Sequence, residues 1–319
     1  MPVPSPSPPP VDSSSAGPAV RTLGVVGVGL IGGSIAAAAL KRGAAKQVIG
    51  FGRDRARLEA AREAGLLTRT AVDPAEASSV DLLVVCTPVG RIAADIARYA
   101  PHLRSEACIT DAGSVKQSIV DDLPDEPRFV PAHPLAGSEK SGWEHADADL
   151  FEGRVTVVCR TPSRERTATV AGFWQALGSR VEVLDACDHD ARLARTSHLP
   201  HAMAAALCLA VDADSRENHG DGRLTSTGFA DTTRVAAGDP GLWADIFHAN
   251  AFPVRDAIDR LTDRLGELRS ALTARDRDAI ETWLADAANR RAELIGASLT
   301  HPGRTSAGQP FAGDLKGTN

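Results

Sequence analysis

The sequence predicts an α/β fold in two parts, a doubly wound parallel sheet followed by an all-helical half. Three observations carry that expectation. Short, continuous apolar runs alternate with helix-period segments from Arg21 to Ala186, as strands covered on both faces require. Glycines punctuate the early runs where a strand must turn sharply into a helix. Beyond about Asp185 the strand-length runs stop, and helical periodicity continues to Leu294.

The elements follow in chain order. Residues 1–20, MPVPSPSPPPVDSSSAGPAV, are rich in Pro and Ser and hold no apolar stretch of signal-peptide length, so a disordered extension is expected. Leu23 to Val28 reads as the first strand, and Ile35 to Leu40 as the helix that packs back on it. Gln47 to Phe51 gives a second strand, and Arg55 to Ala64 a second helix with charge on its outer face. Leu82 to Cys86 and Ala107 to Thr110 are further strands, and the sheet is expected to continue through Val155 to Cys159 and Val181 to Leu184. The first domain is therefore bounded at 21–186 and the helical domain at 187–294, with loops near His219 to Thr227 and Gly238 to Gly241. The polar, Gly/Pro-interrupted stretch 295–319 is expected to be a flexible tail.

Composition narrows the classes. With 319 residues, 43% of them hydrophobic, the chain can bury two cores. Its 35 basic and 41 acidic side chains leave a formal net charge of −6, which argues against a nucleic-acid partner. The longest apolar run, Ala202 to Val211, is about half of what a membrane span needs, so no membrane association is expected. The cysteines Cys86, Cys108, Cys159, Cys187 and Cys208 show no CxxC spacing and suit a reducing, cytoplasmic compartment. Cys208 and Met203 read as core. No metal is expected, because no His/Cys/carboxylate cluster stands at ligand spacing.

Gly27-Val-Gly29-Leu30-Ile31-Gly32 follows the first strand and opens a helix. In that place Gly27 permits the tight turn, Gly29 lets backbone approach a pyrophosphate, and Gly32 allows close helix–strand packing. The helix N-terminus faces the phosphate charge. The first domain thus reads as a Rossmann-type dinucleotide-binding domain, with Leu30, Ile31 and Thr87 among the expected cofactor contacts. The cofactor is NAD or NADP. An NAD site usually carries an acid at the end of the second strand, but Phe51-Gly52-Arg53-Asp54 puts Gly52 there and Arg53 next. Arg53 could pair with a 2′-phosphate, which leans toward NADP. Asp54 would still serve a ribose if the strand ended two residues later.

Three further stretches carry polar groups that a core would not hold. They are Thr110-Asp-Ala-Gly113-Ser114-Val-Lys116, then His133-Pro-Leu-Ala-Gly137-Ser-Glu139-Lys-Ser-Gly142, and a helical-half set. That set comprises Ser197-His198-Leu-Pro-His201, Gly228-Phe-Ala-Asp231-Thr-Thr-Arg234 and Asp239-Pro-Gly-Leu-Trp243. Taken with GVGLIGGS, the order and spacing of DAGSVK, HPLAGSEKSG, SHLPH and D-x-x-R-x-A-x-x-D-P-x-x-W resemble the prephenate/arogenate dehydrogenase family. The likeness runs over Arg21 to Leu294.

The resemblance implies a dinucleotide-binding domain followed by an all-helical dimerisation domain, an active site between them, and a homodimer. It implies oxidative decarboxylation of prephenate, or of arogenate, on the route to tyrosine. His133 would be the catalytic histidine at the substrate's ring hydroxyl, and Ser114 would help orient it. Arg234 would bind the ring carboxylate, while His201 and Glu139 would line or gate the pocket. These types suit the chemistry: a neutral imidazole can take the hydroxyl proton, and a bidentate guanidinium holds a carboxylate in register. The tail is expected to be too short for an appended regulatory domain, and the segment before the first strand too short for a chorismate mutase.

Each residue has a plainer alternative. His133 could cap a loop before Pro134, Ser114 could be a helix N-cap, and His198 could be structural. Arg234 could pair with Asp231 across one turn, and Trp243 could simply pack. At the level of the whole chain, another two-domain dehydrogenase of β-hydroxyacid or pyrroline-carboxylate type, or a dinucleotide-binding redox sensor, shares the fold.

Overall fold

A computed structural model describes residues 19–137, 140–218 and 225–299. The expectations for residues 1–18, for Glu139, for the loop at 219–224 and for the tail past 299 lie outside them. The chain forms two compact units, one up to Ala257 and one from Ile258.

The first unit is built on a parallel sheet. Its strands are β1 (Val20–Val26), β2 (Ala45–Phe51), β3 (Arg69–Ala71), β4 (Leu82–Val85) and β5 (Cys108–Asp111), in the order β3-β2-β1-β4-β5. Helices α1 (Leu30–Lys41), α2 (Arg55–Glu63) and α3 (Val89–Tyr99) connect them. Leu23, Val25, Val84 and Leu82 are fully buried, each side chain contributing about 1.5–3 kcal/mol by leaving water. The strand order reverses between β1 and β4, and their carboxyl ends open a crevice there. The helix α1 starts at Leu30, five residues before the apolar run that predicted it, because its glycine-rich first turn has poor helix propensity. The three-residue β3 is too short to leave a periodic signal.

The sheet does not continue unbroken as expected. After α4 (Gln117–Asp121), the strands β6 (Ala132–Pro134), β7 (Val155–Cys159) and β8 (Arg180–Leu184) form a second sheet, with α5 (Arg164–Ala176) crossing from β7 to β8. β6 is antiparallel to β7, and β7 parallel to β8. Among the described residues one isolated parallel bridge, Ile109 to Phe129, ties β5 to the segment that leads into β6. Val130 donates to the Ile109 carbonyl, but the next N–H on that side, Ala132, goes to the Asp111 side chain and not to the β5 backbone, so the ladder stops. The Pro131 carbonyl faces the other way and accepts from the Cys159 N–H, 2.7 Å away.

Helices follow from Ala186 on: α6 (Ala186–Leu193), α7 (Leu199–Asn218), α8 (Thr227–Thr233), α9 (Pro240–Ala249) and α10 (Ala251–Ala274). A π turn, Ala194–His198, links α6 to α7. Pro200 accounts for it, since it cannot donate to the carbonyl four residues back and the ladder widens there. Met203 does not sit in the core as read from sequence: its side of α7 is uncovered and it is 41% exposed. Cys208 is half-buried.

The second unit holds the rest of α10 and α11 (Arg277–Leu299). The last helix passes Leu294, where a tail was expected to begin, because Ile295 to Leu299 contains no proline. Among the described residues no helix is long and apolar enough to cross a membrane.

Candidate active site

The crevice between β1 and β4 is a cavity of about 1050 Å³. Gly27 sits at its floor with φ +87°, a conformation that favours glycine, and an added Cβ would lie 3.0 Å from the Cys86 carbonyl oxygen. A Cβ on Gly32 would lie 2.2 Å from the Gly27 carbonyl oxygen, so α1 could not approach β1 as it does. A Cβ on Gly29 would meet nothing within 4 Å, which leaves open space before the N-terminus of α1. Thr87 Oγ1 and Asp95 Oδ2 line the cavity and are buried without a hydrogen-bond partner. A cradle of free backbone and unsatisfied polar atoms fits a dinucleotide.

Of the expected cofactor contacts, Gly27, Gly29, Arg53 and Thr87 line the cavity, whereas Leu30, Ile31 and Gly32 do not. Ile31 instead points toward the loop after β6, where a Cβ on Gly137 would lie 3.9 Å from its Cδ1. At the far end of the crevice stand Arg53, Arg55, Arg57, Arg91 and Arg98, against the acids Asp54 and Asp95. Asp54 is committed to capping α2, accepting from the Arg57 N–H at 3.1 Å.

At the end of β5 a buried ion pair, Lys116 with Asp111, grips the residue before His133. Asp111 accepts from the Ala132 N–H at 3.0 Å, and Lys116 Nζ donates to the Ala132 carbonyl at 2.8 Å. Asp111 also accepts from the Gly113 N–H at 2.9 Å. Both backbone groups of Ala132 are thus fixed from the DAGSVK turn. The same carboxylate reaches the crevice electrostatically, since it adds to the burial that pushes the Cys86 thiol up.

His133 stands in β6 opposite Val157, half-buried. Its Nδ1 lies 2.9 Å from His189 Nε2, and His189 Nδ1 lies 2.8 Å from Asp190 Oδ1. Burial pulls His133 well below the ordinary histidine value, with His189, Lys116 and His198 acting in the same direction. The ring is therefore neutral at physiological pH and able to accept a proton.

The helical elements of this unit supply the remaining side chains. Asn250 donates to the Asp190 carbonyl at 3.0 Å and to His198 Nδ1 at 3.1 Å. His198, in the π turn, is buried, and burial lowers it to about 4. His201, one turn on, donates from Nδ1 to the Ser197 carbonyl at 3.2 Å and stacks on Trp243. Trp243 is held in α9, where Asp239 caps the helix by accepting from the Leu242 N–H at 2.7 Å and Pro240 occupies the first turn. Arg234 lies near enough to His201 to lower its proton affinity, although burial does so more.

In the first unit His133 is linked through His189, Asp190 and Asn250 to His198, which meets Trp243 and, through it, His201, while Arg234 acts on His201 only electrostatically. Arg234 is exposed, and among the described residues no ion pair joins it to Asp231. Ser114 is half-buried and makes no hydrogen bond to His133, whose Nδ1 partner is His189. Nor is Ser114 a helix cap: the N-cap of α4 is Lys116, and Asp190 accepts the Lys116 and Gln117 N–H groups at 2.8 Å each. Sequence reading missed Asp111, Lys116, His189, Asp190 and Asn250 as contributors. Asp188-His189-Asp190 at a helix start looks like a solvated polar turn, and only the fold buries His189 and Asp190 while Asp188 stays exposed.

Comparisons with known proteins identify the family. Residues 35–183 match the family model for the prephenate dehydrogenase nucleotide-binding domain, and residues 185–286 match that for the prephenate dehydrogenase dimerization domain. A cyclohexadienyl dehydrogenase of Zymomonas mobilis is 33% identical over 267 residues, 81% of this chain and 90% of its own. Among solved structures, prephenate dehydrogenase from A. aeolicus, in complex with hydroxyphenyl propionate and NAD+, superposes with a TM-score of 0.81 at 30% identity. That match covers 89% of this chain and all (100%) of that one. Synechocystis arogenate dehydrogenase superposes with a TM-score of 0.77 at 28% identity, covering 86% of this chain and 100% of its own. The chain therefore belongs to the prephenate/arogenate dehydrogenase family, a family of nicotinamide-dinucleotide oxidoreductases.

Proposed function

We propose that this protein catalyses the oxidative decarboxylation of prephenate to 4-hydroxyphenylpyruvate, with a preference for NADP. The observation that carries the reading is His133, a neutral imidazole whose Nδ1 is engaged by His189 and whose Nε2 has no hydrogen-bond partner among the described residues. That nitrogen is suited to take the proton of the substrate's ring hydroxyl. Arg234 binds the ring carboxylate, a positioning role that suits an exposed guanidinium unpaired with Asp231. His201, with Nδ1 committed to a carbonyl, presents Nε2 as an acceptor in the same pocket. Ser114 orients the hydroxyl through contacts made only when substrate is bound. A bound nicotinamide would accept the hydride from the substrate's carbinol carbon; with the hydroxyl proton on His133 and carbon dioxide lost, the substrate's own ring becomes aromatic.

The preference for NADP rests on the arginines of the crevice, Arg53 foremost, and on the capping role of Asp54, which draws one carboxylate oxygen away from a ribose. A second reading, arogenate as substrate, is favoured by the likeness to the Synechocystis arogenate dehydrogenase. The two substrates differ in a keto or an amino group on the side chain. In solution a second copy covers the apolar side chains left exposed on the helices. Leu265, Leu272, Leu284 and Leu294 of the second unit are 52–60% exposed, and the matched dimerization model spans 185–286.

The test is one assay matrix, both substrates against both nucleotides, read as absorbance at 340 nm. Highest kcat/KM with prephenate and NADP is expected, and His133→Asn should abolish turnover while nucleotide binding persists. Arg234→Gln should raise the substrate KM far more than the nucleotide KM. Turnover of 3-hydroxy acids with none on either cyclohexadiene would overturn the reading.

A further inference from the structure

The buried pair behind His133 determines which of its nitrogens carries a proton. Asp190 is held by donors only: the Lys116 N–H on Oδ1 and the Gln117 N–H on Oδ2, each at 2.8 Å. A carboxylate so held accepts from its remaining neighbour, so His189 Nδ1, 2.8 Å away, carries the hydrogen. An imidazole with its one hydrogen on Nδ1 has a bare Nε2, which can only accept. Its partner at 2.9 Å, His133 Nδ1, must donate. His133 Nε2 is left with its lone pair free. Without such a partner, nothing would hold the ring in the form that presents a bare Nε2.

The geometry points to His189, oriented by Asp190, as the positioning residue that fixes the His133 tautomer and ring plane so that Nε2 faces the reacting hydroxyl. This rests on the reading of His133 as the proton acceptor, but it adds a residue and a role that reading does not contain. The burial pattern is consistent with it: the His189 and Asp190 side chains are 0% and 4% exposed, so neither touches bulk water. The packing edge of the two rings, centroids 5.1 Å apart at 71°, keeps the nitrogens in line. Asp190 is itself located from both sides, since Asn250 donates to its carbonyl at 3.0 Å. Charged or titratable neighbours facing His133 from packed elements are Lys116, His189 and His198.

The test reads the tautomer directly. In protein labelled with 15N on histidine rings, the His133 signals are identified by their loss in His133→Asn. At neutral pH wild type should show His133 protonated on Nδ1 and bare on Nε2. His189→Leu should convert it to the Nε2–H form or to a mixture, with kcat falling by about a hundredfold and nucleotide Kd unchanged. His189→Gln, whose amide oxygen can accept from Nδ1, should retain the Nδ1–H form and recover most of kcat. Wild type with His133 protonated on Nε2 overturns the inference whatever the variants do. So does a His189→Leu enzyme with normal kcat. If His133→Asn itself turns over normally, the reading of His133 as base fails instead, and the two failures are told apart.

Discussion

His201 lies face to face with Trp243, ring centroids 3.4 Å apart and planes 25° from parallel. The contact joins α7 to α9 and completes a line of rings, since His198 also meets Trp243 edge-on at 6.2 Å. Trp243 could have been a plain packing residue. Here it fixes the plane of an imidazole whose Nε2 is presented as an acceptor.

Trp243→Ala should therefore act on substrate and spare the nucleotide. The substrate KM is expected to rise about five- to tenfold, the equivalent of a lost aromatic pair worth roughly 1 kcal/mol, and Trp243→Phe should restore most of it. Parallel rises in the nucleotide KM would show that α9 has shifted as a whole.

Stability should fall on acidification before the carboxylates titrate. His198 has its proton affinity lowered by burial to about 4 from the ordinary 6.5, against an opposing pull from Asp190. His133 is lowered well below 6.5 for the reasons already given. Below pH 6.5 the unfolded chain binds protons that the folded chain refuses, so the contribution is complete above 6.5 and is lost as pH falls toward 4. The His198 share alone is on the order of 3 kcal/mol across that window. Urea midpoints from pH 7 down to pH 4 should show the decline, and His198→Asn should flatten it. Activity, by contrast, should hold below pH 6.5, because His133 remains an acceptor there.

Lys116→Met should be among the most damaging single changes. It leaves the Asp111 carboxylate buried without its cation and frees the Ala132 carbonyl. A loss of about 3–5 kcal/mol in equilibrium unfolding is expected. The double change Lys116→Met with Asp111→Leu should recover part of it, since no uncompensated charge remains. Recovery of stability without recovery of kcat would locate the ion pair's importance in holding β6.

The glycines of the first turn should separate folding from binding. Gly32→Ala places a methyl 2.2 Å from the Gly27 carbonyl oxygen and should lower the Tm as well as nucleotide affinity. Gly29→Ala meets nothing within 4 Å and should leave the Tm unchanged while weakening nucleotide binding, because its methyl occupies space a pyrophosphate needs. Thermal melts with and without nucleotide distinguish the two.

Arg53→Ala should cut the ratio of kcat/KM for NADP over NAD by about tenfold or more, the value of one charge-assisted hydrogen bond. An unchanged ratio would assign the 2′ end of the crevice to Arg55 or Arg57, or to no arginine.

The division between what was legible and what was not follows the range of the interactions. The turn at Gly27 to Gly32, the strands through Val85 and Asp111, and the capped start of α9 at Asp239-Pro240 are local: dihedral preference, period and capping lie within a few residues of one another. His133, Arg234 and His201 were legible as types in motifs. Their partners were not. His189 reaches His133 across 56 positions and Asp190 reaches Lys116 across 74, and no local pattern marks a His-Asp pair for burial.

The sequence by itself determined the parallel sheet, the glycine turn, the switch to helices after Leu184 and the family to which the motifs belong. Tertiary structure alone decided that the sheet breaks where Ala132 gives its N–H to the Asp111 side chain, that Ser114 neither caps α4 nor bonds His133, and that a buried His-Asp pair stands behind the imidazole. The physical reason is that backbone preference is set by near neighbours, whereas the protonation form of a side chain is set by whichever groups the completed fold brings to within 3 Å of it.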